Sequence, residues 1–347
     1  MSQHFIENIK IENFKCFENL EINDFKRVNV FGGKNNVGKT ALLEAIELLV
    51  KSPDAISLGQ NTFHLLRKRQ ENQVSLHLSK LELDLFKDEG RVITIKTSAC
   101  ELIIDGKFEF KDQLGNSVMG LSFKIDNHQW GVLYENFIST AFHVSLNHTV
   151  SDGEKKTPIT FIVSSKISDN QIANFYGMIV EFEKEDFLNE SLNSFDSSLL
   201  SLKVIVLNNR IIPKFKIIGR SKLVSLSEMG DGINRYIAIL CAIWASQNGF
   251  LFIDEIENGI HYSNYKKLWE LIFMASEQAN CQVFVTTHSK ECITAFNKVQ
   301  QERNDDAGRY FELFKSKSPK KQKIMAAVRD TEQLQYALEN DKEIRGE

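Results

Sequence analysis

The chain has 347 residues, 42% hydrophobic and 25% charged, with a net charge of −4. It is an ordinary globular sequence, long enough for one large domain or two ordinary ones, and its slight acidity argues against a surface that coats nucleic acid throughout, leaving room for a local basic groove. Five cysteines (Cys16, Cys100, Cys241, Cys281 and Cys292) form no C-x-x-C pair, no apolar run approaches a membrane span, and the first residues lack a signal-peptide pattern, so a cytoplasmic protein with reduced thiols and no membrane partner is expected.

Residues 5–14 and 17–22 carry loose strand alternation and lead into 27–31, a short apolar strand pattern. Next comes Gly33-Lys34-Asn35-Asn36-Val37-Gly38-Lys39-Thr40, which fits the phosphate loop G-x-x-x-x-G-K-[ST]. Gly33 and Gly38, with Asn35 and Asn36 between them, let the backbone turn its N–H groups toward a phosphate. Lys39 reaches the β- and γ-phosphates, and the Thr40 hydroxyl holds Mg²⁺. Residues 41–50 read as a helix with Leu42, Ala45, Ile46 and Leu49 on one face, its N-terminus toward the anion.

The character changes near Ser52. Val74, Leu76 and Leu78 alternate with polar residues, and Leu81, Leu83 and Leu85 do so after a phase shift, which reads as a half-buried strand with a bulge. Residues 101–110 read as a hairpin with Asp105-Gly106 at the turn. Residues 142–150 and 159–163 are strand-like, and 172–202 is more helical. No heptad repeat persists, so no long coiled-coil arm is expected. Residues 204–207 and 215–218 read as strands, and 225–232 as a glycine-bearing loop. Ile233, Ile237, Leu240, Cys241 and Trp244 then mark one helix face. Residues 250–253 and 283–285 are short strands of the kind buried in a parallel sheet. The tail from Asn304 is charged, with Lys315, Lys317, Lys320, Lys321 and Lys323 close together.

Four apolar residues before Asp254-Glu255 make a Walker B pattern. The strand end places Asp254 to bind Mg²⁺, directly or through water, and Glu255 to polarise an attacking water. His288 follows the strand 283–285 and is placed to sense the γ-phosphate. Arg67-Lys-Arg69 and the lysines of 315–323 read either as phosphate contacts or as solvated surface.

The order of phosphate loop, glycine loop with helix, Walker B and histidine is that of ABC-type ATPases. The chain resembles their SMC/RecF/OLD branch, and is most similar to the stand-alone AAA-type/OLD-like ATPases of bacterial defence systems. The carrying residues are Ile11–Phe17, Gly33–Thr40, Leu42–Ile46, Leu226–Gly232 with Arg235, Asp254–His261, Thr286–Ser289 and the tail segments 334–338 and 343–345. The resemblance implies an α/β fold: an ABC-type head, a P-loop sheet with flanking helices, from residues 1–51 and 204–347. A mixed β/α insertion over 52–203 would serve as lid or partner surface. It also implies an ATP hydrolase that uses ATP and Mg²⁺ and sandwiches ATP between two heads, as a dimer or higher oligomer. Ser227, Gly230 and Gly232 of one head would then meet the γ-phosphate held by the other. Glu228 and Met229 stand where the usual signature has paired glycines. Gln60 is the Q-loop glutamine by position alone. His261, in a segment resembling the dimer-facing loop, reads equally as a surface side chain. Residues 290–347 are too short for a Toprim nuclease and contain no Asp-x-Asp, and Glu109-Phe-Lys111 is a lone E-x-K. The implied function is a switch that controls a separate effector, a nuclease or toxin, in anti-phage defence. The alternative is a RecF/SMC-like ATPase for DNA repair or chromosome maintenance that acts directly on nucleic acid.

Overall fold

The computed structural model describes residues 5–70, 85–88, 92–111, 115–126, 128–133, 157–165, 167–207, 210–316 and 322–340. In chain order the first half contains β1 (Asn8–Phe14), β2 (Phe17–Asn23), β3 (Val28–Gly33), α1 (Lys39–Lys51), α2 (Ala55–Gln70), β4 (Ile93–Lys96), β5 (Glu101–Lys111), β6 (Ser117–Ile125), β7 (His128–Leu133) and β8 (Ile159–Ile162). Then follow α3 (Asp169–Glu181), α4 (Glu185–Phe195), β9 (Leu199–Leu207), β10 (Arg210–Ile217), β11 (Val224–Ser225), α5 (Asp231–Ala245), β12 (Phe250–Ile253) and α6 (Tyr265–Gln278). The last elements are β13 (Gln282–Thr286), α7 (Lys290–Arg303), β14 (Gly308–Lys315), β15 (Ile324–Arg329) and α8 (Thr331–Glu339).

The central sheet has the order β15-β14-β3-β13-β12-β8. All its pairings are parallel except β14 with β15. Its inner strands β3, β12 and β13 are buried along their whole length, which is why they read as unbroken apolar runs. The two faces are nonetheless chemically distinct. Val28, Val30, Leu251, Ile253, Val283 and Val285 point to the side covered by α5, α6 and α7. The opposite face is a row of phenylalanines. Phe161 stacks on Phe252 at 5.9 Å, Phe252 on Phe284 at 5.5 Å, Phe284 on Phe31 at 6.3 Å, and Phe31 meets Phe311 at 5.4 Å. Five strands each supply one ring, and α1 packs in the same cluster through Leu42, Ala45, Ile46 and Leu49.

A second sheet, antiparallel throughout, has the order β2-β1-β4-β5-β6-β7. A third, smaller one has the order β11-β10-β9. The α/β head fold expected from the sequence is therefore present. The segment 52–203, expected as an insertion, shares both larger sheets with the chain ends: β4 pairs with β1, and β8 pairs with β12.

Two local expectations need correction. Residues 101–111 form one strand, β5, not a hairpin, and Asp105-Gly106 opens a register shift against β6 before Phe108. The Asp105 carboxylate accepts from the Lys107 N–H at 2.8 Å, so the local turn chemistry is satisfied inside a bulge while strand pairing continues. The helical stretch ends at Phe195, and Leu199 already belongs to β9. The expected strand at 142–150, and the alternation from Val74 to Leu83, lie outside the described residues; Leu85 is described and buried.

Candidate functional site

Strand order builds the site. β3, β13 and β12 are neighbours in that sequence, so their C-terminal ends bring Gly33–Thr40, Thr286–Ser289 and Asp254–Glu255 to one edge, where open α/β sheets bind ligands. Gly33 and Gly38 have φ of 131° and 86°. A Cβ on Gly33 would lie 2.1 Å from the Leu313 carbonyl oxygen, and one on Gly38 2.5 Å from Cys16 Sγ. Both positions therefore require glycine sterically as well as torsionally. Asn36 is also left-handed, at φ 59°, and Asn35 and Asn36 are exposed at the loop tip. Gly38 begins α1 with no side-chain cap and no acidic residue in the first turn, which leaves the helix N-terminus to an anion.

Lys39 is buried, and its ammonium donates to the carbonyl oxygens of Gly33 and Lys34 at 2.7 and 2.9 Å. Burial pulls its pKa down to about 8, and the nearby Glu257, Glu255 and Asp254 carboxylates oppose the shift. The Thr40 hydroxyl lies 3.2 Å from both carboxylate oxygens of Asp254. Thr286 donates to Asp254 Oδ1 at 2.6 Å and accepts from the Glu255 N–H at 2.8 Å. Burial raises the Asp254 pKa, while the two threonine hydroxyls pull it back. A glycine-walled cradle beside a hydroxyl and a buried carboxylate fits a Mg²⁺-bound nucleotide: Thr40 and Asp254 are hard oxygen donors for the cation, and the loop N–H groups and Lys39 serve phosphate.

Glu255 adopts a left-handed backbone, φ 51°, a conformation that costs a non-glycine residue about 1 kcal/mol or more and recurs at functional sites. Its carboxylate is held on one side and flanked on the other. Asn258 Nδ2 donates to Oε2 at 2.7 Å, and His288 Nε2 lies 3.7 Å from Oε1. The His288 N–H donates to Glu257 Oε1, and Glu257 Oε2 is buried with no hydrogen-bond partner. Burial, with Lys39 nearby, lowers the His288 pKa below its ordinary 6.5, so the ring is neutral at pH 7. The structure thus gathers Lys39, Thr40, Asp254, Glu255 and His288. It adds three residues the motifs did not assign: Thr286 and Glu257, which place two of them, and Asn258.

Ser227 and Gly230 are exposed, Gly232 is half-buried, and the run sits at the N-terminus of α5. A Cβ on Gly232 would lie 2.4 Å from the Gly259 carbonyl oxygen, so this loop packs directly on the turn after Walker B. Ser225 and Glu228 close a capping box around the single 3-10 turn Leu226–Glu228, which gives Glu228 a structural task where the usual signature has glycine. Four residues into α5, buried Arg235 donates to the carbonyl oxygens of Val163, Asp254 and Glu255. The sequence offered Arg235 as part of a resemblance and gave it no task. A pocket of about 210 Å³ lies beside it, lined by Ser164, Asp231, Asn234 and Asn258 among others. His261 caps a short 3-10 turn by accepting from the Ser263 N–H, and is exposed. Gln60 lies on α2, which packs on α1, β6 and β7.

Comparison with known proteins adds the following. A family model described as "AAA ATPase domain" matches residues 5–162 and 126–293. An "ATP/GTP phosphatase" of Helicobacter pylori is 27% identical over 376 residues, covering 98% of this chain and all of its own. "DNA replication and repair protein RecF" of Listeria monocytogenes is 34% identical over 83 residues, which is 23% of this chain and 22% of that protein. Among solved structures, an SmcHead bound to the C-winged helix domain of ScpA aligns over 93% of this chain and 98% of its own, with TM-score 0.53 and 13% identity. That last likeness is one of fold.

Proposed function

We infer the function from one premise: the chain belongs to the AAA ATPase domain family, whose model spans most of its length. The reading is a Mg²⁺-dependent ATP hydrolase that works as a dimerising switch. The observation that carries it is the meeting of Thr40, in the first turn of α1, with Asp254 and Thr286 at the ends of the adjacent strands β12 and β13. Kinship over the full length with an ATP/GTP phosphatase supports hydrolysis.

In this reading Lys39 exchanges the carbonyls of its own loop for phosphate oxygens. Thr40 and Asp254 hold the cation, and Thr286 keeps the Asp254 carboxylate turned toward Thr40. Glu255, fixed by Asn258, accepts a proton from the attacking water, and neutral His288 lies beside it to donate a hydrogen bond to the γ-phosphate. Bound Mg·ATP supplies the electrophilic phosphorus and the charge neutralisation. Ser227, Gly230 and Gly232 act in trans, with the α5 N-terminus toward the partner head's nucleotide. ATP then favours the engaged pair, and hydrolysis releases it.

A mixing experiment tests this reading. Lys39→Ala and Ser227→Arg are each expected to be inactive alone. Mixed, they form one site with an intact phosphate loop and an intact signature loop, so turnover returns. If the mixture stays inactive while both variants still dimerise, the trans assignment is wrong.

The switch is read as gating a separate cytoplasmic effector in anti-phage defence, a reading supported by the resemblance of the motif set to OLD-like ATPases. Among the described residues no helix is long and apolar enough to cross a membrane. A pull-down of Glu255→Gln with Mg·ATP, nucleic acid digested and Lys39→Ala as control, should recover a stoichiometric partner. Recovery of the ATPase alone would remove the effector reading. A second reading, in which the head acts on DNA itself, is supported by the 34% identity over 83 residues with a DNA replication and repair protein RecF.

A further inference from the structure

Between Asp196 and Glu228 the chain carries six basic residues, Lys203, Arg210, Lys214, Lys216, Arg220 and Lys222, and no acidic one. This in a protein of net charge −4 is a concentrated positive segment. It folds into the β9–β10 hairpin, where Lys203 stands directly opposite Lys214. Like charges in that position cost stability, and Lys216 lies two residues further along the same face. Lys203, Lys214 and Lys216 have no carboxylate within ion-pair distance among the described residues.

The other face changes character along its length. At the base Leu202 pairs with Phe215, and both are fully buried. Toward the tip Val206 pairs with Ile211, and these are 69% and 44% exposed. β11 pairs only with Lys214 and Phe215, so beyond them the element is a two-stranded ribbon. It is rooted in the core, and its lysine face also carries Ile205 opposite Ile212 and ends near the tip in Leu207, 49% exposed.

We propose that the β9–β10 hairpin is a duplex-DNA-binding ribbon, with Lys203 and Lys214 on backbone phosphates and Leu207, at the tip of the same face, against base edges. This inference rests on the reading in which the head acts on DNA. The B-DNA major groove, about 12 Å wide, admits a two-stranded ribbon, whereas the A-form RNA major groove is too deep and narrow. Aliphatic side chains meet thymine methyls or wedge between base steps. Protein interfaces are depleted in lysine, which disfavours a protein partner for this face. The ribbon also leads through β11 and one 3-10 turn to Gly230 and α5, and Arg235 on α5 holds the Walker B carbonyls. DNA on the ribbon therefore acts on the element that reaches the second head, and DNA stimulates ATP turnover.

The test uses the full chain and a fluorescent duplex of roughly 30 base pairs, titrated at several salt concentrations. Each phosphate contact contributes about 0.9 to the slope of log affinity against log salt. Lys203→Gln with Lys214→Gln should lower that slope by about two and weaken binding about tenfold or more at moderate salt. DNA stimulation should be lost with basal turnover unchanged and with a melting temperature no lower than the parent's, since the like-charge pair is gone. Leu207→Ser should weaken binding at unchanged slope. The proposal is overturned if the double lysine variant keeps the wild-type slope, or if Lys107→Gln with Lys124→Gln on the second sheet causes the same loss. It is also overturned if polyglutamate or duplex RNA competes as well as DNA. Turnover without DNA, and its loss in Glu255→Gln, report on the ATPase reading separately, so either can fail alone.

Discussion

Arg235 lies on α5, the helix that follows the glycine loop 226–232, yet its guanidinium holds the backbone carbonyls of Asp254 and Glu255, the two acidic residues at the end of β12. One side chain thus joins the helix behind the glycine loop to the backbone of the two Walker B acids. Arg235→Ala leaves these carbonyls unpaired in a buried setting and should destabilise the fold by about 2–4 kcal/mol. Arg235→Lys should fold better, because one ammonium retains part of the bonding, and should still lower kcat more than ATP affinity. Thermal melts and ATP titrations on both variants check this; a kcat unchanged in Arg235→Lys contradicts it.

Thr286 is the only described side chain that bonds Asp254 and the Glu255 N–H together. Thr286→Val keeps the shape and removes both bonds. We expect Mg²⁺ dependence of turnover to shift to higher concentration, by about tenfold, equivalent to about 1.4 kcal/mol, with nucleotide binding in the absence of metal little changed. A Mg²⁺ titration of turnover beside a metal-free nucleotide titration separates the two effects.

Glu255→Gln preserves the contact with Asn258 and removes the base. Turnover should fall by about 10²–10⁴-fold, while ATP still binds and the engaged dimer accumulates. Light scattering with and without Mg·ATP reads this directly, and a variant that stays monomeric with ATP would count against a switch gated by hydrolysis.

Lys39 makes nucleotide binding pH-dependent. Its ammonium titrates at about 8 in the fold, against an ordinary 10.5. Burial disfavours the charged form, so the cost to stability is fully present below about pH 8. It is relieved as pH rises toward 10.5, because the unfolded chain then binds more protons. Phosphate has the opposite effect and restores the charge. ATP binding near pH 8 should therefore take up protons, and affinity should fall above that pH. Calorimetry in two buffers of different ionisation enthalpy detects the uptake; identical heats would show that Lys39 is fully charged beforehand.

Burial pushes the thiols of Cys241, Cys281 and Cys292 far up, so at pH 8 none offers thiolate and all three should resist thiol reagents until the protein unfolds. Cys16 is partly exposed and lies against Gly38. A bulky adduct there should distort the phosphate loop and lower ATP affinity, and bound ATP should slow the labelling. Mass spectrometry of labelled protein distinguishes the sites.

The contiguous parts of the site were legible in the sequence, because a glycine loop before a helix and carboxylates after an apolar strand carry their chemistry in their order. Thr286, Glu257 and Asn258 were not, because their partners come from other strand ends and only the placement of β13 between β3 and β12 brings them together. The fold class followed from the resemblance that the ordered motifs carry, and the short buried strands agreed with it. The way the middle of the chain joins the sheets did not, since β1–β4 and β8–β12 pairings link distant segments with no local signal. The turn expected at Asp105-Gly106 shows the same limit from the other side: local chemistry was read correctly, and strand pairing absorbed it as a bulge.

The row of phenylalanines across the central sheet has a consequence for how the protein is made. Its rings come from Phe31, Phe161, Phe252, Phe284 and Phe311. β3 and the phosphate loop leave the ribosome well before the strands that flank β3 in the sheet, β13 and β14. At cellular synthesis rates that wait is on the order of tens of seconds. Throughout it the nascent chain carries Phe31 without the rings of Phe284 and Phe311, so the central sheet closes only after β14 emerges.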